Sequence, residues 1–243
     1  MRAQRLPFAC ACWLEFPIRY FWEAVPILTE RKIPSLLFLN IGPIQGEIFW
    51  AGLVTYLTQE DPEFPPFLRA RKDVIPGAEF LACDDATLQE YLNQKNRKDI
   101  EAKARDFYGE FSSLQDIESV RNNPWVFIGN HLYNHYLAAQ LTDEELRQQF
   151  NKNEKWLRNF PRGCPVFAYP FGQPVCFRQG QTERLWELGA KVVFCSNGRT
   201  NSSGRARFYD RIGVNSDIPR ARDLLGLAYW GRLKSVLKKK LIY

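Results

Sequence analysis

No stretch of about 18 consecutive apolar residues occurs in this chain, so no segment of it is suited to cross a membrane as a helix. A clean export signal is missing as well. Residues 1–14 carry two arginines and a short apolar stretch, but Pro7 interrupts it and no small-x-small cleavage pattern follows, which predicts a protein that is not secreted. The six cysteines (Cys10, Cys12, Cys83, Cys164, Cys176 and Cys195) have the spacing of neither a zinc ribbon nor a disulfide framework. Cys10 and Cys12 stand too close for a zinc-finger pair, and free thiols point to a reducing, cytoplasmic location. Internal repeats and low-complexity tracts are absent. Histidine is the scarcest of the chemically useful residues: there are two, His131 and His135.

What is present suits a folded enzyme-sized domain. The 243 residues are enough for one α/β domain with a full core, and a 45% apolar content with 18 Phe, 10 Tyr and 7 Trp excludes a disordered chain. The net charge of +6 is concentrated late, at Arg220, Arg222, Arg232, Lys234 and Lys238–Lys240. Residues 219–241 therefore read as a basic helix. A solvated helix face explains that pattern best; peripheral contact with an anionic membrane stays open, and no aromatic-interleaved motif supports nucleic-acid binding.

The rhythm of the chain is that of a parallel sheet with covering helices. Residues 22–31 predict a short helix with Pro26 in its first turn, where a missing N–H matters little. Ser35–Asn40 reads as a strand buried on both faces. Residues 44–120 read as a mainly helical insertion: a helix from Ile44 to Leu57, a loop at Asp61–Pro66, and a helix from Asp85 that continues to Tyr108. Beyond Pro124 come a strand at Trp125–Ile128 and a helix opened by the capping box Thr142–Glu145, with Leu146, Phe150 and Leu157 on its buried face. A strand at Pro165–Tyr169, a helix capped by Thr182 and stopped at Gly189, and a strand at Lys191–Cys195 follow.

The chemistry gathers after the strand at Trp125–Ile128. His131 and His135 stand four apart at its carboxyl end, where parallel α/β folds place their ligand sites. Imidazoles at that spacing converge on one metal if the second lies in a helical turn. A third ligand, a carboxylate, must come from elsewhere. Pro170-Phe171-Gly172 ends the next strand in a tight turn, of a kind that can aim backbone N–H groups at an oxyanion or simply end a strand.

Several of these segments, in this order, resemble the polysaccharide deacetylase family: Ile128–His135, Leu141–Leu146, Phe167–Gly172, Leu185–Cys195 and Ile33–Asn40. The resemblance spans roughly residues 19–214, interrupted by the insertion. It implies a distorted, incomplete (β/α) barrel with its first strand altered or lost. It implies removal of an N-acetyl, or O-acetyl, group from an acetylated oligo- or polysaccharide by a water activated on a divalent metal, often zinc. By the match His131 and His135 are the metal histidines, the Phe171 backbone N–H helps to hold the oxyanion, and Tyr169, Pro170 and Gly172 shape that turn.

The family's first motif, Thr-Phe-Asp-Asp-Gly, supplies the base and the metal carboxylate. Here Phe16 and Pro17 stand in its place, and neither can bind metal or move a proton. Glu15 is the nearest carboxylate and fits only with a shifted register. The pair Asp84-Asp85 reads as a helix cap. Ala168 replaces the arginine usual before the Pro-aromatic-Gly turn, and the family's late histidine is missing. Arg211, near the last strand, is a candidate substrate contact, with a salt bridge to Asp210 or another acid as its plainer role. Three readings remain open: an altered or misassigned start, a pseudoenzyme that binds glycan or acts as a scaffold, and an active variant with a rebuilt site.

Overall fold

A computed structural model describes residues 10–11, 20–70, 83–109, 111–198, 201, 207–212, 222–223, 226 and 229–230. Its centre is a sheet of six strands in chain order, every neighbouring pair parallel. The strands are β1 (Cys10–Ala11), β2 (Ser35–Leu39), β3 (Val126–Asn130), β4 (Gly163–Ala168), β5 (Val192–Cys195) and β6 (Phe208–Asp210). β2 is buried along its whole length, as expected of a strand covered on both faces. Because all strands point the same way, Asn40, His131, Tyr169, Ser196 and Arg211 all follow strand ends at one edge of the sheet.

A π-helical turn at Tyr20–Ala24 leads into α1 (Val25–Glu30), with Pro26 in the first turn. Between β2 and β3 lie α2 (Ile41–Ile44), α3 (Trp50–Glu60), α4 (Phe64–Arg69), α5 (Asp85–Asn93), α6 (Arg97–Tyr108) and α7 (Leu114–Ser119). The sequence pattern placed one helix at 44–57; the chain instead breaks at Gln45–Phe49 between α2 and α3. It also breaks at Gln94–Asn96, where Asn96 accepts from the Asp99 N–H and starts α6 as a separate helix. Asp61–Pro66 is not wholly a loop, since Pro65 and Pro66 sit in the first turn of α4, where a proline loses no hydrogen bond.

α8 (Asp143–Leu157) covers the sheet between β3 and β4, and its capping box forms as the sequence predicts. α9 (Gln181–Glu187) starts at Gly180, which has φ 86°. Thr182 is therefore inside α9, not its cap, and its hydroxyl meets the Tyr169 hydroxyl at 3.1 Å. Three apolar clusters matter for the site. One lies under α1 and the β2–β3 strands, one under α8 and α9, and one among α3–α6, closed against Leu137 and Cys176. Among the described residues no helix is long and apolar enough to cross a membrane. The basic residues from Arg232 to Lys240, and Arg220, lie outside the described residues.

Candidate active site

β3 delivers His131 to the carboxyl edge of the sheet, and the loop that follows returns His135 to it. The sequence pattern invoked a helical turn for this convergence. The structure has an irregular loop, bent at Leu132 (φ 64°) and His135 (φ 54°). Left-handed backbone is disfavoured for residues with a Cβ, so two such residues in one loop mark a conformation held by its surroundings. The imidazole centroids are 4.8 Å apart at 74°. Both rings are buried, 7% and 3% exposed. Burial holds His131 well below its ordinary pKa, with His135 and Arg211 adding to the effect, and burial with Arg211 nearby holds His135 at about 3. Both rings are thus neutral at pH 7. His131 Nδ1 lies 2.7 Å from the Ala168 carbonyl, which can only accept. The proton is therefore on Nδ1, and Nε2 keeps a lone pair. His135 Nδ1 is buried with no hydrogen-bond partner among the described residues.

β4 ends in the turn Tyr169-Pro170-Phe171-Gly172. Phe171 and Gly172 have φ 60° and 73°, and the Gly172 N–H donates to the Pro170 carbonyl at 2.6 Å. A Cβ on Gly172 would stand 2.8 Å from Ser196 Cβ and 2.9 Å from Arg211 Nη2, so only glycine fits there. The Phe171 ring packs on His135 with centroids 4.8 Å apart. Tyr169 is fully buried and stacked on Phe177, with its hydroxyl at Thr182, so its side chain anchors the turn. Arg211, from the end of β6, donates from Nε to the Cys195 carbonyl and from Nη2 to the Tyr169 carbonyl, both at 3.2 Å. The Asp210 carboxylate lies elsewhere, accepting from Asn197 N–H and Cys195 Sγ. Arg211 thus ties β4 to β5 through carbonyls; burial pulls its pKa down to about 10, which leaves it charged at pH 7.

The helical region forms the other wall. Phe49 packs on His135 at 5.5 Å, and Trp50 on Tyr136 at 5.4 Å and on Phe171 at 6.5 Å. Asn134, between the histidines, accepts from the Trp50 N–H and donates to the Ile48 carbonyl.

As far as the described residues reach, the site fits a divalent metal in part. Two neutral imidazoles with available lone pairs suit two ligand places. Among the described residues no group of three His, Cys, Asp or Glu is arranged to hold a metal. Glu15, Phe16 and Pro17 lie outside the described residues. Asp84 caps α5 by accepting from the Thr87 N–H, and Asp85 accepts from the Tyr136 hydroxyl. Sequence reading missed the wall residues Phe49 and Trp50 and the amides Asn40, Asn130 and Asn153. Asn153 left a usable signal: it falls on the buried face of α8, between Phe150 and Leu157.

No protein-family model matches the chain, and no curated protein matches it in sequence. Solved structures do. IcaB from Ammonifex degensii is 17% identical with TM-score 0.50, over 88% of this chain and 68% of that one. The Streptococcus pyogenes deacetylase PplD, in complex with acetate, is 11% identical with TM-score 0.54, over 90% and 69%. A de-N-acetylase from Aggregatibacter actinomycetemcomitans is 13% identical with TM-score 0.51, over 90% and 76%. The chain shares the fold of these three proteins.

Proposed function

We propose that this protein is a metal-dependent carbohydrate deacetylase, a hydrolase that removes acetyl groups from a glycan. The observation that carries the reading is the convergence of the chain's two histidines, neutral and buried, beside the left-handed Phe171 turn at the carboxyl edge of a parallel sheet. In this reading His131 and His135 would hold a divalent metal, zinc in the first instance. A metal held there would supply a water nucleophile at neutral pH. The Phe171 N–H faces the acetyl oxygen as it becomes negative, with Tyr169, Pro170 and Gly172 fixing the turn. Arg211 adds a fixed positive charge behind that turn. In this reading the sheet is the described part of an incomplete (β/α) barrel, and α3–α6 belong to an insertion that walls the site.

A second reading rests on Phe16 and Pro17, which occupy the motif that supplies base and carboxylate in this family. In it the chain binds the acetylated glycan without hydrolysing it. One experiment separates the two. The zinc-loaded protein is incubated with N-acetylated chitooligosaccharides, and released acetate and bound sugar are both measured. The first reading expects release, lowered at least about 100-fold in His135→Ala, since an activating metal supplies several kcal/mol. Binding without release supports the second, and neither binding nor release overturns both.

A further inference from the structure

We propose that three asparagine amides, Asn40, Asn130 and Asn153, are the positioning residues of the histidine pair. The reading of His131 and His135 as metal ligands underlies this inference, which adds what sets their geometry.

The three amides join α8 to the ends of β2 and β3. Asn153, fully buried in the middle of α8, accepts from the Ile41 N–H at 3.0 Å and donates to the Leu39 carbonyl at 2.8 Å and to Asn130 Oδ1 at 2.9 Å. Asn130, the last residue of β3 and also fully buried, donates to the Phe150 carbonyl and to Glu154 Oε2, both at 3.1 Å. Its oxygen also accepts from the Leu132 N–H at 3.0 Å. Asn40 donates to the carbonyls of His131 and of Leu132, the latter at 2.9 Å. Leu132 is thus held from both sides, its N–H by Asn130 and its carbonyl by Asn40. It is the left-handed residue between the histidines, the point where the chain reverses so that His135 returns to His131. A leucine does not keep that conformation by itself.

The chemistry requires amides here. Asn153 accepts one hydrogen bond and donates two at once, and Asn130 accepts two, from the Leu132 N–H and Asn153 Nδ2, and donates two. A carboxylate in either place would lose the donors, and an apolar side chain would orphan buried backbone groups. Carboxamides that orient the loop behind a ligand act as the outer shell of a metal site, where a substitution typically lowers affinity about 10- to 100-fold.

The test compares Asn40→Ala, Asn153→Ala and a control, Leu157→Ala, which opens the core at the last residue of α8, one turn beyond Asn153, while keeping all three amides. Imidazole nitrogen NMR reads the geometry without metal, in an uncrowded spectrum because the chain has two histidines. Zinc titration reads the affinity. Asn40 is only half-buried, so Asn40→Ala remains informative if Asn153→Ala does not fold. Both asparagine variants are expected to lose the slowly exchanging His131 Nδ1–H and to bind zinc about 10- to 100-fold more weakly. Leu157→Ala is expected to lower Tm while keeping the wild-type imidazole spectrum and zinc affinity. Wild-type imidazole signals and affinity in folded Asn40→Ala overturn the proposal, as does an equal loss in Leu157→Ala. If the wild-type protein takes up no zinc, the metal reading fails alone, and the imidazole spectra still decide the positioning role.

Discussion

Cys195 shows how a reactive side chain is silenced by its place. It ends β5, fully buried, with its sulfur 2.9 Å from Asp210 Oδ1. Burial first, then the hydrogen bond and negative charge of Asp210, push its thiol up to about 12. The thiolate is the nucleophile in alkylation, so the folded protein is expected to resist iodoacetamide at Cys195 at pH 8 and to react there once unfolded. The linkage has a defined sign. The folded pKa lies above the unfolded value of 9.0, so the contribution to stability is complete below about pH 9 and is lost as pH rises toward 12. Mass mapping of alkylated peptides with and without denaturant checks this; modification of Cys195 in native protein at pH 8 would contradict it. The neighbouring Arg211 follows the same logic with the opposite charge type, since burial lowers its pKa but leaves it cationic.

Elements are held apart or together by single side chains, and α3 with α6 is the clearest case. Gly52 lets the two helices touch: a Cβ there would fall 2.3 Å from Tyr108 Cδ1 and 2.8 Å from Phe49 Cδ1. Tyr108 packs edge-on against Phe49, whose ring in turn meets His135. Gly52→Ala is therefore expected to destabilise the protein by about 1–3 kcal/mol through overpacking, despite alanine's better helix propensity. Denaturant midpoints measure the loss, and an unchanged or higher midpoint would show that α6 yields freely. This scale also shows what the sequence made legible. The capping box of α8 and the cap of α5 are local, set by residues three apart, and both are readable from spacing. The break at Gln45–Phe49 is not local, because Asn134, far along the chain, takes the Trp50 N–H and so fixes where α3 starts. Pro65 and Pro66 looked like a loop because a proline pair fits a loop and a first helical turn equally well. The histidine pair was legible through scarcity and spacing. Its convergence through left-handed backbone was not, since Leu132 is held by Asn40 and Asn130 and carries no turn signal of its own.

In the whole molecule, the site is where two cores meet. The sheet and its covering helices form one set of apolar clusters, and α3–α6 form another, which closes on Leu137, Cys176, Tyr136 and Phe171. Trp50 lies at that junction. It is 2% exposed, packed on Tyr136 and Phe171, and its N–H at the backbone is fixed by Asn134. Removing the indole leaves the backbone bond in place and takes away the surface that joins the helical layer to the carboxyl edge of the sheet. Trp50→Ala is expected to cost about 3–5 kcal/mol, the range for truncating a large buried aromatic. The loss should be uneven. The strands β2–β4 keep their ladder and the packing of α8, whereas α3, α5 and α6 lose one of their holds on the sheet edge. Native-state hydrogen exchange is then expected to speed up in those three helices and to leave β2–β4 near wild-type protection, the pattern of separate cooperative units. Uniform acceleration across both layers would mean instead that the molecule opens as one unit, and that the helical region is part of the same core as the sheet.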